Sequence, residues 1–538
     1  MRDQFHLPSR LTNGGWLYCF LAASGLLLLW RFPRWTVDDA FISARYAANL
    51  LAHGALVWNV GEAAVDGYTG FAWPLLLAAG MALGATPEAV GHLLGSLAFL
   101  LIPILLWQWS RTLQLPPSAS LLLLLLFVGA SGSYVHALSG LETLPFGAAV
   151  VAALLALTRT LHRSAPESPA LWLTLLVASL LRPEGVALAL AVLFSIALQA
   201  SPAQASAPPD RLALAVLFSI ALQRRHHDSA RWGWLRMALL LYVAPALLYY
   251  GWRTLYYGDW LPNTFYVKSF SGGINPRSVR SLLVVVRDHA LLPSLALAAF
   301  AALAGTSGRQ RAARRWRRDW PLWLSIVLFT LAVTASNLRA MLWMNYADRL
   351  WFPLFLPVWM ALLAFASALW PAAAGRRHRL ALGVAMLACL GQVAFMARAW
   401  PTDLHYVQRY HDAIESAARP AALHLQRLLP PNERVAVIDA GIIPYLSMRP
   451  ALDLGGLNDR ALAHNFSVDG AVERFFADQP GAFVIVVPPR QLADSPSIPG
   501  RIVRDPRFSR YRLVEAIPAA GAARGNTAMI YLREDLAE

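Results

Sequence analysis

Residues 15–50 read GWLYCFLAASGLLLLWRFPRWTVDDAFISARYAANL. The first half is an apolar run long enough to enter a bilayer. No small-residue cleavage site follows it. The segment Arg31-Phe32-Pro33-Arg34-Trp35 instead has the make-up of an interfacial anchor, which argues against a removable signal peptide. Two adjacent carboxylates, Asp38 and Asp39, come directly behind that anchor, at the predicted start of a short helix. The chain therefore leaves the membrane and at once presents charge at its surface.

Working outward, the rest of the sequence has the same character. Of 538 residues, 57% are hydrophobic and only 14% are charged, against roughly 25% charged in soluble chains. Apolar runs near 15–32, 89–109, 118–135, 144–161, 170–181, 185–199, 237–256, 289–305, 321–336, 350–369 and 380–398 predict a polytopic α-helical membrane protein with about eleven transmembrane helices. The net charge of +15 does not point to nucleic acid, because the arginines cluster between apolar runs. Cys19 and Cys389 both lie inside such runs, so no disulfide is expected.

Arginine-rich blocks fix the predicted sides. Arg309, Arg311, Arg314, Arg315, Arg317 and Arg318 form one block. Arg376, Arg377 and Arg379 form another, and Arg224, Arg225, Arg231 and Arg236 a third. The positive-inside rule places all three in the cytoplasm. The loops 33–88, 136–143, 257–288 and 337–349, and everything after 400, then lie outside. This requires the 14-residue stretch 71–84 to be a re-entrant or interfacial helix rather than a span. The string LALAVLFSIALQ occurs at 188–199 and again at 212–223, a tandem duplication read here as part of a cytoplasmic insertion, 200–236.

Beyond 400 the composition changes. RYHDAIESAARPAALHLQRLLP (409–430) reads as an amphipathic helix, and RVAVIDA (434–440) and FVIVV (483–487) as buried strands. The expected organisation is a membrane domain over 1–399 and a soluble α/β domain over 400–538.

The outer loops carry the candidate chemistry. An Asp at a helix start is ordinarily a cap, but capping does not need a second carboxylate beside the first. The pair suits a general base, a ligand for a divalent cation, or both. Arg45, two turns on, could orient an Asp or bind an anion. Tyr257, Asp259, Asn263 and Lys268 lie in a second loop, where Lys268 could hold a phosphate as a point charge. Arg182 and Glu184 turn a predicted helix hairpin, Glu142 sits at another outer helix end, and Arg349 precedes an apolar run. Charge so close to a membrane faces a cavity or a partner. A transporter gathers polar groups near the bilayer midplane; here they gather at one rim.

Seven strings share this pattern: DDAFISARYAANL, GALVWNVGE, DGYTGFAW, SGLET, LRPEG, YYGDWLPNTFYVK and DAGIIPYLSMRPALDLGGLNDR, covering roughly 35–85, 139–185, 250–270 and 435–460. Together they resemble the GT-C glycosyltransferases that use polyprenyl-phosphate sugars, with the nearest likeness to mycobacterial terminal arabinofuranosyltransferases and pilin arabinosyltransferases. The resemblance implies a GT-C fold in the bacterial inner membrane, with the active site and C-terminal domain facing the periplasm. It implies a polyprenyl-phosphate sugar donor and a periplasmic glycan, lipopolysaccharide or pilin acceptor. It maps the base onto Asp38, by preference, or Asp39, with Arg45, Arg182, Lys268 or Arg349 for the donor phosphate. Tyr46, Asn59, Tyr68, Glu142, Glu184, Tyr257, Asp259 and Asn263 are the matching candidates for substrate contacts. Some members use a divalent cation and others none. The rival readings are a lipid-linked saccharide flippase and a non-catalytic envelope-assembly protein.

Overall fold

A computed structural model describes residues 13–163, 168–200, 229–269, 273–371 and 375–537. The second copy of the duplicated string, together with Arg224 and Arg225, lies outside these residues.

The chain opens with α1 (Asn13–Arg31), the surface helix α2 (Asp38–His53) and the short α3 (Ala72–Ala82). At about 16 Å, α3 is too short to span a bilayer. There follow α4 (Pro87–Thr112), α5 (Pro117–Gly129), α6 (Ser131–Ala137), α7 (Thr143–Arg163), α8 (Pro169–Leu181) and α9 (Glu184–Ala200). Then come α10 (Ser229–Ala238), α11 (Ala244–Tyr257), α12 (Asn263–Lys268), α13 (Pro276–Val285), α14 (Leu292–Leu303), α15 (Thr306–Arg339), α16 (Phe352–Leu369), α17 (Arg376–Ala413) and α18 (Arg419–Leu428). Among the described residues, seven helices are long and apolar enough to cross a membrane, or eight if the pair α5 and α6, bent by 60°, is one span. The count of eleven read from the sequence also takes in α1, α8 and α9, whose apolar stretches fall short of 18 residues.

Three boundaries differ from the sequence reading. The run 118–135 is not one straight helix: the chain breaks at Ala130, and α6 leaves the axis of α5 at 60°. The loop expected at 257–288 is largely helical, because Asn275 caps α13 and a π-helical turn, Val286–Leu291, carries α13 into α14. The last span does not stop near 398. It continues through Pro401 and a π-helical turn, Ile414–Ala418, into α18, giving 53 residues of helix from membrane to soluble domain. The extra residue in such a turn makes room for Pro420, whose ring would clash with an ordinary helical turn.

The arginine blocks at 309–318 and 376–379 lie together. Arg311 donates to the carbonyls of Ala368 (3.1 Å) and Trp370 (2.7 Å), and Arg315 to that of Ala364 (3.0 Å). They thereby pin the last two turns of α16, including the orphan carbonyls at its end. From this end α15 runs about 40 Å, kinked at Asp319 just before Pro321, to reach Arg339.

The C-terminal domain is a five-stranded sheet: β1 (Val435–Val437), β2 (Ala451–Asp453), β3 (Ala482–Val487), β4 (Tyr511–Pro518) and β5 (Thr527–Arg533). The order is β2-β1-β3-β5-β4, with β1 parallel to both β2 and β3, and β5 antiparallel to β3 and β4. One apolar core joins this sheet to the membrane module, with Phe41, Ala44 and Tyr46 of α2 packed among Val435, Val437, Ile442 and Ile443.

Candidate active site

Neither Asp38 nor Asp39 caps a helix. α2 begins at Asp38, and Val37 holds the cap position without a side-chain bond. The helix start is tied instead to the SGLET loop, where Val37 N donates to the Ser139 carbonyl at 3.0 Å. The packing is so close that a Cβ on Gly140, which also has φ +79°, would come within 2.8 Å of the Thr36 methyl group. This is a glycine the fold requires.

The two carboxylates diverge. Asp38 is 7% exposed and accepts a hydrogen bond from the backbone N of Ile442, in the C-terminal domain, at 2.9 Å. Burial, then the carboxylates of Asp439 and Asp39, push its pKa up to about 8, so at neutral pH it is mostly protonated. Asp39 is 23% exposed and faces Arg349 at 4.0 Å. With different partners, the pair does not form a chelate. Among the described residues no group of three or more His, Cys, Asp or Glu is placed to hold a metal.

Around Asp39 the rim loops converge. Arg349 lies 3.6 Å from Glu142 and donates through Nε to Thr143 Oγ1 at 3.2 Å. Glu142 in turn pairs with Arg182 at 3.2 Å, and Arg182 with Glu184 at 2.6 Å. Buried charges need such mutual pairing to hold their ionised forms. Lys268 ends α12, and its carbonyl accepts from Met341 N at 2.7 Å. Burial lowers the pKa of its ammonium, Asp39 acts against that, and Arg349 and Arg182 add to it. Among the described residues that ammonium makes no hydrogen bond or ion pair. Asp39, Glu142, Arg182, Glu184, Lys268 and Arg349 thus form one cluster from distant parts of the sequence.

The remaining candidates do not join it. Arg45 is buried, and four of its five donors are spent on the carbonyls of Trp58, Pro444 and Arg449 and on Asn59 Oδ1; so engaged, it acts as a clamp. Asn59 is occupied by Ala451 and Glu62 as well. Tyr46 bonds Val65 O, Asn458 and Gly67 N. Tyr68 and Tyr257 share a hydroxyl bond of 3.0 Å. Asp259 is held by Arg460 (2.8 Å) and His464 (3.0 Å), and Asn263 N donates to the Asp66 carbonyl at 3.0 Å. These seven residues fasten outer loops to each other and to the C-terminal domain.

Asp439 and Thr143 were not singled out from the sequence, although both stand in quoted strings, because their roles depend on contacts across hundreds of residues. Beside the cluster, on the far face of the strap 344–349, lies a cavity of about 330 Å³ lined by Ser131, His289, Asp348 and Asp403. A second, apolar cavity of about 290 Å³ between α5, α14, α16 and α17 shares Met396 with it.

The comparisons with known proteins bear on the fold. A family model described as a domain of unknown function (DUF8728) matches residues 403–531, beginning close to the expected domain boundary. No curated protein matches the sequence. Among solved structures, ArnT from Cupriavidus metallidurans bound to undecaprenyl phosphate aligns over 96% of this chain and 98% of its own, at 15% identity and TM-score 0.52. The arabinofuranosyltransferase AftD from Mycobacteria aligns over 98% of this chain and 40% of its own, at 15% identity and TM-score 0.52. The oligosaccharyltransferase AglB from Archaeoglobus fulgidus, in complex with an inhibitory peptide and a dolichol-phosphate, aligns over 87% and 69%, at 12% identity and TM-score 0.51. The chain has the GT-C membrane fold with a C-terminal sheet domain.

Proposed function

We propose that this chain is a membrane glycosyltransferase that moves a sugar from a polyprenyl phosphate to a hydroxyl of a cell-envelope acceptor. The observation that carries the reading is the rim cluster: a partly exposed carboxylate, Asp39, beside two cations, Arg349 and Lys268, at the edge of the apolar helices.

Asp39 is the base by this reading, in preference to Asp38, because it is the more exposed of the two and faces Arg349 at 4.0 Å. The acceptor hydroxyl gives its proton to Asp39 as its oxygen bonds the anomeric carbon. The bond from that carbon to the phosphate oxygen breaks, and its electron pair leaves on the polyprenyl phosphate. Lys268, without a partner of its own, and Arg349 meet that charge. Arg182 does not touch the donor here. It holds Glu142, which holds Arg349.

The sugar proposed first is arabinofuranose, with hexose and aminoarabinose as alternatives; the acceptor class is a periplasmic glycan, lipopolysaccharide or pilin. The site and the domain beyond 400 are placed on the periplasmic side of the inner membrane. The test is incubation of the purified chain with a panel of labelled polyprenyl-phosphate sugars. Transfer of label to an acceptor supports the reading. No transfer with any donor, accompanied by lipid flipping in liposomes, overturns it in favour of a flippase.

A further inference from the structure

The C-terminal domain does more than cover the membrane module. The segment Asp439-Ala440-Gly441-Ile442 leaves the C-terminal end of β1 and meets Asp38 directly. A Cβ on Gly441 would lie 2.1 Å from the Asp38 carbonyl oxygen and 2.2 Å from its Oδ2. These atoms are fixed by the helix and by the bond to Ile442, so nothing larger than glycine fits. Two residues before this contact stands Asp439. Its side chain opens to solvent, yet Asp38 and Asp39 both lie close enough to act on it electrostatically.

The place where Asp439 stands is not arbitrary in an α/β sheet. β1 has parallel neighbours on both sides, β2 on one and β3 on the other. The chain thus reverses direction across the sheet between β1 and β3, and crevices at such switch points, outside the carboxyl ends of the strands, are where ligands bind. A cleft of about 40 Å³, room for little more than a water, lies there, with Asp439 at its edge and otherwise apolar walls that include Ile438, Ile443, Val486 and Pro499. The cations proposed for the leaving phosphate, Arg349 and Lys268, belong to the membrane module, whereas Asp439 comes from the C-terminal domain.

We infer that Asp439 is the acceptor-side positioning residue: the C-terminal domain supplies it as the wall of the active site that faces the incoming sugar, and Gly441 and Ile442 seat that wall on Asp38. This rests on the glycosyl transfer proposed above. The acceptor class it fits is a polyhydroxylated one, because a carboxylate accepts hydrogen bonds from neighbouring hydroxyls and holds one of them toward Asp39.

The test uses the full-length protein in detergent, with a donor that the wild type turns over, and follows two fates of the label: transfer to acceptor and release to water. Asp439→Asn is expected to lower the ratio of transfer to hydrolysis about tenfold, through a raised acceptor KM, as loss of one positioning interaction does. Asp439→Glu should recover part of that ratio. Gly441→Ala, which displaces Asp38 itself, should depress both fates. An unchanged ratio in Asp439→Asn, or equal loss of both fates with a lowered Tm, overturns the inference and leaves Asp439 a structural residue. If the wild type transfers no donor sugar, the proposed function fails, and the subsite is judged without turnover. Labelling of Asp439→Cys by a water-soluble maleimide is then expected to slow in the presence of methyl pentosides or hexosides. Labelling at the same rate with and without them overturns it.

Discussion

At the scale of single residues, the pair Asp38-Asp39 divides its labour in a way the sequence alone does not reveal. From sequence, Asp38 is the better base and Asp39 the better cap. The structure shows no cap and reverses the exposure, leaving Asp38 buried against Ile442 and Asp39 open beside Arg349. Loss of a general base typically costs about 10²–10⁴-fold in rate, so Asp39→Asn should lose transfer by that order at normal Tm, and by more than Asp38→Asn. Rates measured for both variants with one donor decide it; a more active Asp39→Asn moves the base to Asp38. A second outcome concerns pH. The pKa of Asp38 is raised from 3.8 to about 8 on folding, so the folded state binds its proton more tightly than the unfolded chain. That contribution is complete below the unfolded pKa and is lost as pH rises toward 8. Thermal melts of Asp38→Asn should therefore fall less between pH 5 and pH 8 than those of the wild type. The Asn carbonyl still accepts the Ile442 bond, so a steeper fall in the variant contradicts the shift.

At the scale of elements, the strap 344–349 shows what remains hidden in a sequence. It carries three non-glycine residues with positive φ: Met344 (+60°), Ala347 (+44°) and Asp348 (+54°). The left-handed region costs an alanine roughly 1 kcal/mol or more. The strap is held there by His136, whose Nε2 meets the Ala347 carbonyl at 2.9 Å, and by Leu350 N, which donates to Asn345 at 2.9 Å. In return it aims Arg349 at Asp39 on one face and Asp348 at His289 on the other. Ala347→Gly removes the Cβ that resists this backbone, so it should leave Tm unchanged or raise it by a few degrees. A clear drop in a melting curve counts against the strap geometry. The elements that were legible had local signatures. The apolar runs, the strands at 435–437 and 483–487 and the amphipathic pattern at 409–430 each carry a period of their own. The bend after Gly129, the strap and the helix unbroken from 376 to 428 carry none. Pro401 and Pro420 read as breaks, whereas a π-helical turn and tertiary packing absorb them.

At the scale of the whole molecule, soluble domain and membrane module behave as one body, because buried polar bonds cross between them. Arg45 spans the junction with donors to Pro444 and Arg449, and its guanidinium lies 4.7 Å over the Trp58 ring. Arg45→Ala leaves those carbonyls buried and unpaired, at a cost of about 1–3 kcal/mol each. Early loss of the C-terminal domain on limited proteolysis would report it, and resistance equal to the wild type would show that the apolar contacts suffice. The same unity makes topology a single question rather than eleven separate ones. α15 begins at the arginine block and ends beside the strap, so the block and the rim cluster lie about 40 Å apart along one helix. Arg311 and Arg315 bind the end of α16, placing both arginine blocks on the same side. Arginine-rich short loops are retained in the cytoplasm, so the outward orientation proposed for the cluster, Asp439 and the C-terminal domain is tested as one. A phosphatase fused after Glu538, active only outside the cytoplasm, should be active, and the same reporter inserted in the loop after Gly305 should be silent. The opposite pair of results would turn the active site inward, where a periplasmic acceptor could not reach Asp39.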